Sequence, residues 1–171
     1  MWLSLKIISV IGYSGSGKTN FILNAIRMLK GNFKIEIAVI KYIHGHKIET
    51  EGKDSFKYSK AGANYSILQN INNEITIFLK KDFNLDEIAN WLSNGPYSTN
   101  FIFAEGFRDL KYPTVLCIRD LDEIKPQLTD RVKLISGIYC KGKQNEEFYS
   151  DIPILEIETN FERFLEIFNM S

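Results

Sequence analysis

The stretch Gly12-Tyr13-Ser14-Gly15-Ser16-Gly17-Lys18-Thr19 decides how this chain is read. It matches the pattern G-x-x-x-x-G-K-[ST] in full. Each position has a physical reason. Glycines let the backbone curl and come close to a phosphate group. The amides of Gly15, Ser16, Gly17 and Lys18 are expected to point inward at phosphate oxygens, at the positive end of a helix dipole. The Lys18 ammonium is placed to reach the β and γ phosphates of a nucleoside triphosphate. The Thr19 hydroxyl is placed to ligate Mg²⁺.

The pattern alone arises by chance, so its flanks decide whether it is meant. Before it, LKIISVI (residues 5–11) is a near-continuous apolar run, as in a strand buried on both faces of a parallel sheet. After it, Phe21, Ile22, Ala25, Ile26 and Leu29 fall at helix spacing with one apolar stripe. Gly31 and Asn32 are expected to end that helix. KIEIAVIK (residues 34–41) then reads as a second strand. Strand, glycine loop, helix and strand make a βαβ unit, whose right-handed crossover leaves its strands parallel.

Further out the signals are shorter. Residues 42–53 are polar, without a period, and read as a loop. Asp54 is placed to cap a helix through residue 61, with Ser55 in its first turn. NYSIL (64–68) and ITIFL (75–79) read as short strands, with Asn72-Asn73 suited to the turn between them. DEIANWL (86–92) reads as a helix stopped by Asn94, Gly95 and Pro96. FIFA (101–104), TVLCI (114–118), VKLISGI (132–138) and ILEI (154–157) are strand candidates, and residues 161–168 an amphipathic helix. The charged segment 119–131 has no usable pattern. The alternation predicts one α/β domain over residues 1–171, a P-loop three-layer sandwich with a largely parallel sheet and helices on both faces.

Composition sets outer bounds. At 171 residues the chain can bury roughly 70% of its unfolded surface and needs no staples. Formal net charge is zero, which argues against broad nucleic-acid binding, because that needs a basic face to displace counterions. No apolar run approaches the roughly 18 residues that span a bilayer. The start MWLSLKIISVIG lacks the basic residues and cleavage site of a signal peptide, so a cytoplasmic location is expected. Cys117 and Cys140 form no C-x-x-C pair and lie in apolar runs, where buried, unpaired thiols are expected.

Other residues join the loop as candidates. Glu105 ends the FIFA strand, where a carboxylate helps hold Mg²⁺ or its water, and ligands of such sheets bind at that end. Asn100 stands earlier in the same neighbourhood, where an Asp is more usual, and being neutral it would weaken the magnesium shell. Asp54 is either a plain helix cap or a water-mediated magnesium contact, and Lys53 adds charge near the phosphates. Arg108 is either a solvated loop residue or a stabiliser of phosphate charge, in the manner of an arginine finger. His44 and His46 form an H-x-H pair, too few ligands for a closed metal site, so a contact to substrate or partner competes with a solvated loop. The catalytic candidates are therefore Lys18, Glu105 and Arg108, and the metal candidates Thr19, Asp54 and Glu105.

Three segments together resemble the molybdopterin-guanine dinucleotide biosynthesis adaptor (MobB) family. They are the loop at residues 12–19, the Gly52-Lys53-Asp54-Ser55 box continuing to Ala61-Gly62-Ala63 after Ile40-Lys41 and the histidine loop, and Glu105-Gly106-Phe107-Arg108. Order and spacing agree over roughly the first 120 residues of this chain. The chain departs from the family at Tyr42 and Gly45, where histidines often occur, at Glu51, where a proline is usual, and at Asn100. The resemblance implies a GTP-binding, weakly GTP-hydrolysing homodimer that assists the guanylyltransferase attaching GMP to molybdopterin. The product is a molybdenum or tungsten dinucleotide cofactor. There is no N-K-x-D motif, so guanine preference rests on the resemblance. A small-molecule P-loop kinase is the enzymatic alternative, but only Arg119 and Arg131 lie where an arginine-rich lid would be. A metal-insertion GTPase would need a Cys/His cluster, which Cys117 and Cys140 do not make.

Overall fold

A computed structural model of the chain describes residues 5–45, 48, 51–143, 145 and 147–170. The strands are β1 (Lys6–Ile11), β2 (Ile37–Lys41), β3 (Tyr65–Gln69), β4 (Ile75–Leu79), β5 (Phe101–Glu105), β6 (Thr114–Cys117), β7 (Val132–Ser136), β8 (Glu147–Tyr149) and β9 (Ile152–Ile154). The α-helices are α1 (Lys18–Asn32), α2 (Asp54–Lys60), α3 (Leu85–Ser93) and α4 (Phe161–Ile167). Two compact units result, one of residues 1–42 and 89–171, the other of residues 43–88.

The larger unit is built on a seven-stranded sheet in the order β2-β5-β1-β6-β7-β9-β8. All neighbours are parallel except β8, which closes one edge antiparallel to β9. The chain leaves β1 towards β2 and β5 on one side and later returns to β6 on the other. The strand order therefore reverses at the C-terminal end of β1, where the glycine loop begins and where such sheets bind their ligands. This is the predicted α/β architecture with a largely parallel sheet.

Strand alternation divides the core. Val10, Phe103, Val115, Cys117 and Leu134 pack with Phe21, Ile22, Ala25 and Leu29 of α1 and Phe161, Phe164 and Leu165 of α4. Ile11, Leu116, Ile118 and Ile135 point the other way, onto Ile124 and Cys140. Ile124 lies between two 3₁₀ turns, Leu121–Glu123 and Lys125–Gln127, which occupy the segment the sequence left unplaced. Turns of three residues are too short to show a period.

Helix α1 ends at Asn32, as expected, with Phe33 N–H still reaching Leu29 O at 2.8 Å and the Asn32 amide donating to Met28 O at 2.8 Å. Other boundaries differ from expectation. The strand expected at 154–157 is Ile152–Ile154, and β8 was not anticipated, being short and half polar. Among the described residues, no helix is long and apolar enough to cross a membrane. Both cysteines are buried and free.

In the smaller unit β3 and β4 form an antiparallel hairpin with Ile67 opposite Ile77. The Asn70 side chain shapes its turn by accepting from the amides of Asn72 and Glu74, at 2.9 and 3.0 Å. Asp54 does not cap α2: Lys53 occupies the cap position in extended conformation, without a side-chain cap bond. Asp54 is the first helical residue, where its carboxylate accepts from Lys57 Nζ at 3.0 Å and favours the helix dipole.

Candidate functional site

The glycine loop connects a buried strand to a helix, and its shape is enforced by its neighbours. Gly12 has φ 147°, and a Cβ there would lie 2.2 Å from Cys117 O and 2.5 Å from Ser16 Oγ. Only glycine fits against β6 at that point. Gly17, with φ 94°, caps α1 without any side-chain bond, so no cap side chain competes with an anion for the first amides of the helix. Ser16 is wholly buried, and its hydroxyl has no hydrogen-bond partner among the described residues.

Lys18 is folded over the loop, donating to Gly12 O at 3.0 Å and Tyr13 O at 2.8 Å. Burial lowers its pKa from the ordinary lysine value, and the nearby Glu105 carboxylate offsets part of that. An anion at the loop would therefore satisfy a cation that is partly stripped of water.

Glu105 stands where the sequence put it, at the end of β5. It is 5% exposed. Its carboxylate accepts a long bond from Thr19 Oγ1, at 3.3 and 3.4 Å to its two oxygens. On its other side Lys41 Nζ lies 3.1 Å from Oε1. A hydroxyl and a carboxylate side by side at the mouth of the glycine loop are the oxygen donors Mg²⁺ takes. Such an ion draws its remaining ligands from phosphates and water, so a dense protein cluster is unnecessary. Among the described residues, no group of three His, Cys, Asp or Glu could hold a metal alone.

Arg108 is close to the loop but occupied. Its guanidinium donates to Gln127 Oε1 at 3.1 Å and lies 5.6 Å from the centre of the Tyr13 ring. Asn100 is not part of this site. It precedes β5 at the opposite end of the sheet, where Lys6 N–H bonds Asn100 O and Asn100 Oδ1 accepts from Glu36 N–H at 3.0 Å. The five residues of β5 separate it from the loop end by roughly 16 Å, so it is not placed to join Thr19 and Glu105 in holding a magnesium ion. Lys53 and Asp54 belong to the smaller unit, where Asp54 is paired with Lys57. His44 is exposed, and His46 lies outside the described residues.

Two contributors stand outside the candidate site residues. Lys41, at the end of β2, supplies the cation beside Glu105; its sequence signal is a lysine closing an apolar strand. Gly137 follows β7 with φ 101°, and Ile138 N–H donates to Ser16 O at 3.1 Å, pinning the loop from the far side. A glycine directly after VKLIS was the available signal.

The sequence profile described as molybdopterin guanine dinucleotide synthesis protein B (MobB) matches residues 7–138. A molybdopterin-guanine dinucleotide biosynthesis adapter protein of Haemophilus influenzae is 29% identical over 138 residues, 79% of this chain and 76% of its own length. A provisionally described adapter protein of Methanocaldococcus jannaschii is 32% identical over 123 residues, 69% of this chain. That match spans about half of the archaeal protein, 49%. In fold, the crystal structure of Bacillus subtilis MobB superimposes with a TM-score of 0.73 at 22% identity, over 96% of this chain and 98% of that one. A MobB homologue from Bacillus stearothermophilus gives 0.64 at 14% identity, over 95% of each chain. With its glycine loop and Glu105 inside the matched segment, the chain belongs to the MobB family.

Proposed function

We propose that this protein binds Mg²⁺–GTP at residues 12–19 and acts as an adapter in molybdopterin-guanine dinucleotide biosynthesis. The observation that carries this reading is the pairing of a partly desolvated Lys18 over the loop with Thr19 against the buried Glu105. Lys18 and the loop amides would hold the phosphates, and Thr19 and Glu105 the magnesium ion or its water. Family membership supplies the process. The names of the relatives supply the adapter role, here assistance to the guanylyltransferase that attaches GMP to molybdopterin, which is itself a candidate ligand. The final cofactor would carry molybdenum or tungsten, and the work would take place in the cytoplasm.

Hydrolysis is expected to be slow. Arg108 donates to Gln127 and lies 5.6 Å from the centre of the Tyr13 ring, so it is not extended to offset transition-state charge. Turnover should stay below about 1 per second, the lower edge of the usual kinase range. The homodimer reading draws support from the β3–β4 hairpin, an isolated pair of strands with open edges and exposed Ile67, Ile75 and Ile77.

The test is a reconstituted guanylyl transfer assay with the partner enzyme, molybdopterin and Mg²⁺–GTP, run with wild type, Lys18→Ala and Glu105→Gln. Stimulation by wild type that both variants lose supports the proposal. Full stimulation by Lys18→Ala would remove the nucleotide from the adapter's role. GTP turnover well above 1 per second would contradict the slow-GTPase part.

A further inference from the structure

The glycine loop does not stand alone at its end of the sheet. The turn after β7 is clamped to it. A Cβ on Gly137 would lie 2.4 Å from Ser16 O and 2.8 Å from Ile118 N, so this backbone touches both the loop and the end of β6. Tyr139 N–H adds a bond to Ile118 O at 3.1 Å. Beside this clamp a cleft of about 330 Å³ opens between α1 and the chain ends that follow β7 and β9. Gly17, Asn20 and Ile138 line it at the loop end, and Asn24, Arg27 and Glu158 line it further along.

That position and size have a chemical meaning. Gly17 borders both the phosphate loop and the cleft, so the two are continuous. The volume is at the small end of ligand sites, enough for a base and its sugar. Asn20 and Asn24 are one helical turn apart on the same face of α1. The Asn24 amide donates to Glu158 Oε1, and Arg27 holds Asn24 Oδ1 at 3.1 Å. The Glu158 carboxylate is therefore held against α1, one turn beyond the phosphate end. Glu156 is engaged elsewhere, accepting from Gly142 N–H at 3.0 Å.

We infer that this cleft is the nucleobase subsite and that Glu158, oriented by Asn24, selects guanine. The inference rests on the loop being a triphosphate site, as proposed above. Guanine presents two adjacent donors, N1–H and the 2-amino group, which a carboxylate accepts together. Adenine presents an acceptor at N1, which a carboxylate repels. A carboxylate in this place does the work that the missing N-K-x-D motif would otherwise do. Specificity then comes from the unfavourable fit of the wrong base as much as from the fit of the right one.

The test is calorimetric binding of Mg²⁺ complexes of GTP, ATP, ITP and XTP to wild type, Glu158→Gln and Lys18→Ala. Wild type should rank GTP above ITP, which lacks the 2-amino group, and both above ATP. Glu158→Gln should lose about tenfold to hundredfold for GTP, keep its ATP affinity, and gain for XTP, whose O2 can accept from the new amide. Far-UV circular dichroism checks that the exposed substitution leaves the fold intact. Lys18-dependent GTP binding with an unchanged GTP-to-ATP ratio in Glu158→Gln would overturn the base subsite and leave the phosphate site standing. No binding of any triphosphate by wild type would overturn both.

Discussion

Phe103, in the middle of the large sheet, is 0% exposed, whereas Ile71, in the turn of the small hairpin, is 98% exposed. The contrast extends to their surroundings. In the larger unit two apolar clusters lie on opposite faces of the sheet and are closed by helices and 3₁₀ turns. Within residues 43–88 the buried positions include the polar Ser55 and Ser66, while Tyr65, Ile67, Leu68, Ile75 and Ile77 are exposed. A unit of this size buries too little apolar surface to stand well alone. The larger unit is thus a packed platform on which the glycine loop is mounted. The smaller one keeps its apolar side chains available, as interaction elements do.

Substitutions should separate the two roles. The largest effect is expected from Phe103→Ala, which leaves a cavity in the apolar cluster that the sheet shares with α1 and α4. Urea titration should show a loss of about 3–5 kcal/mol. If the loss were under 1 kcal/mol, the sheet would not be the packed platform described. Next in size is Gly12→Ala, which forces a methyl group into Cys117 O at positive φ. A cost of about 1–3 kcal/mol is expected, together with loss of nucleotide binding. An unaffected variant would mean that the loop does not need its close approach to β6.

Ile67→Asp, opposite Ile77, should behave in the other way. Unfolding free energy should change by no more than about 0.5 kcal/mol. The proposed homodimer, measured by light scattering on wild type and variant, should shift to monomer in the variant. A variant that stays dimeric would place the homodimer contact elsewhere. The smallest effect concerns the thiols. Burial pushes the Cys140 thiol up to about 12 and Cys117 further still. A raised thiol pKa leaves little thiolate at neutral pH, so alkylation of native protein at pH 8 should be negligible until it unfolds. Rapid labelling would show that one thiol opens to solvent.

What the sequence revealed follows from range. The glycine loop, β1 and α1 were legible because their signals are local: apolar runs, helix spacing and glycines in one stretch. Glu105 was legible as the last residue of a buried strand. Asn100 was misjudged because proximity in sequence does not say which end of a strand a residue occupies. Lys41 joins Glu105 only through the pairing of β2 with β5, a contact between distant segments. Gly137 meets Ser16 through the β1–β6–β7 order, which no local pattern encodes. Arg108 lies beside Tyr13 of the loop, but its tie to Gln127 needed the 3₁₀ turns that lack a period. The Asp54 cap failed by one position, since an Asp in the first turn favours the positive end of the helix dipole just as an Asp at the cap would.

The central claim is that residues 12–19 hold Mg²⁺–GTP through Lys18. Titrating GTP into wild type and Lys18→Ala by calorimetry, with Mg²⁺ and again with EDTA, tests it directly. The account predicts Mg²⁺-strengthened binding by wild type and a loss of about a hundredfold in the variant, roughly 3 kcal/mol for a partly buried charge contact. Equal GTP binding by both proteins, or none by wild type, would contradict it.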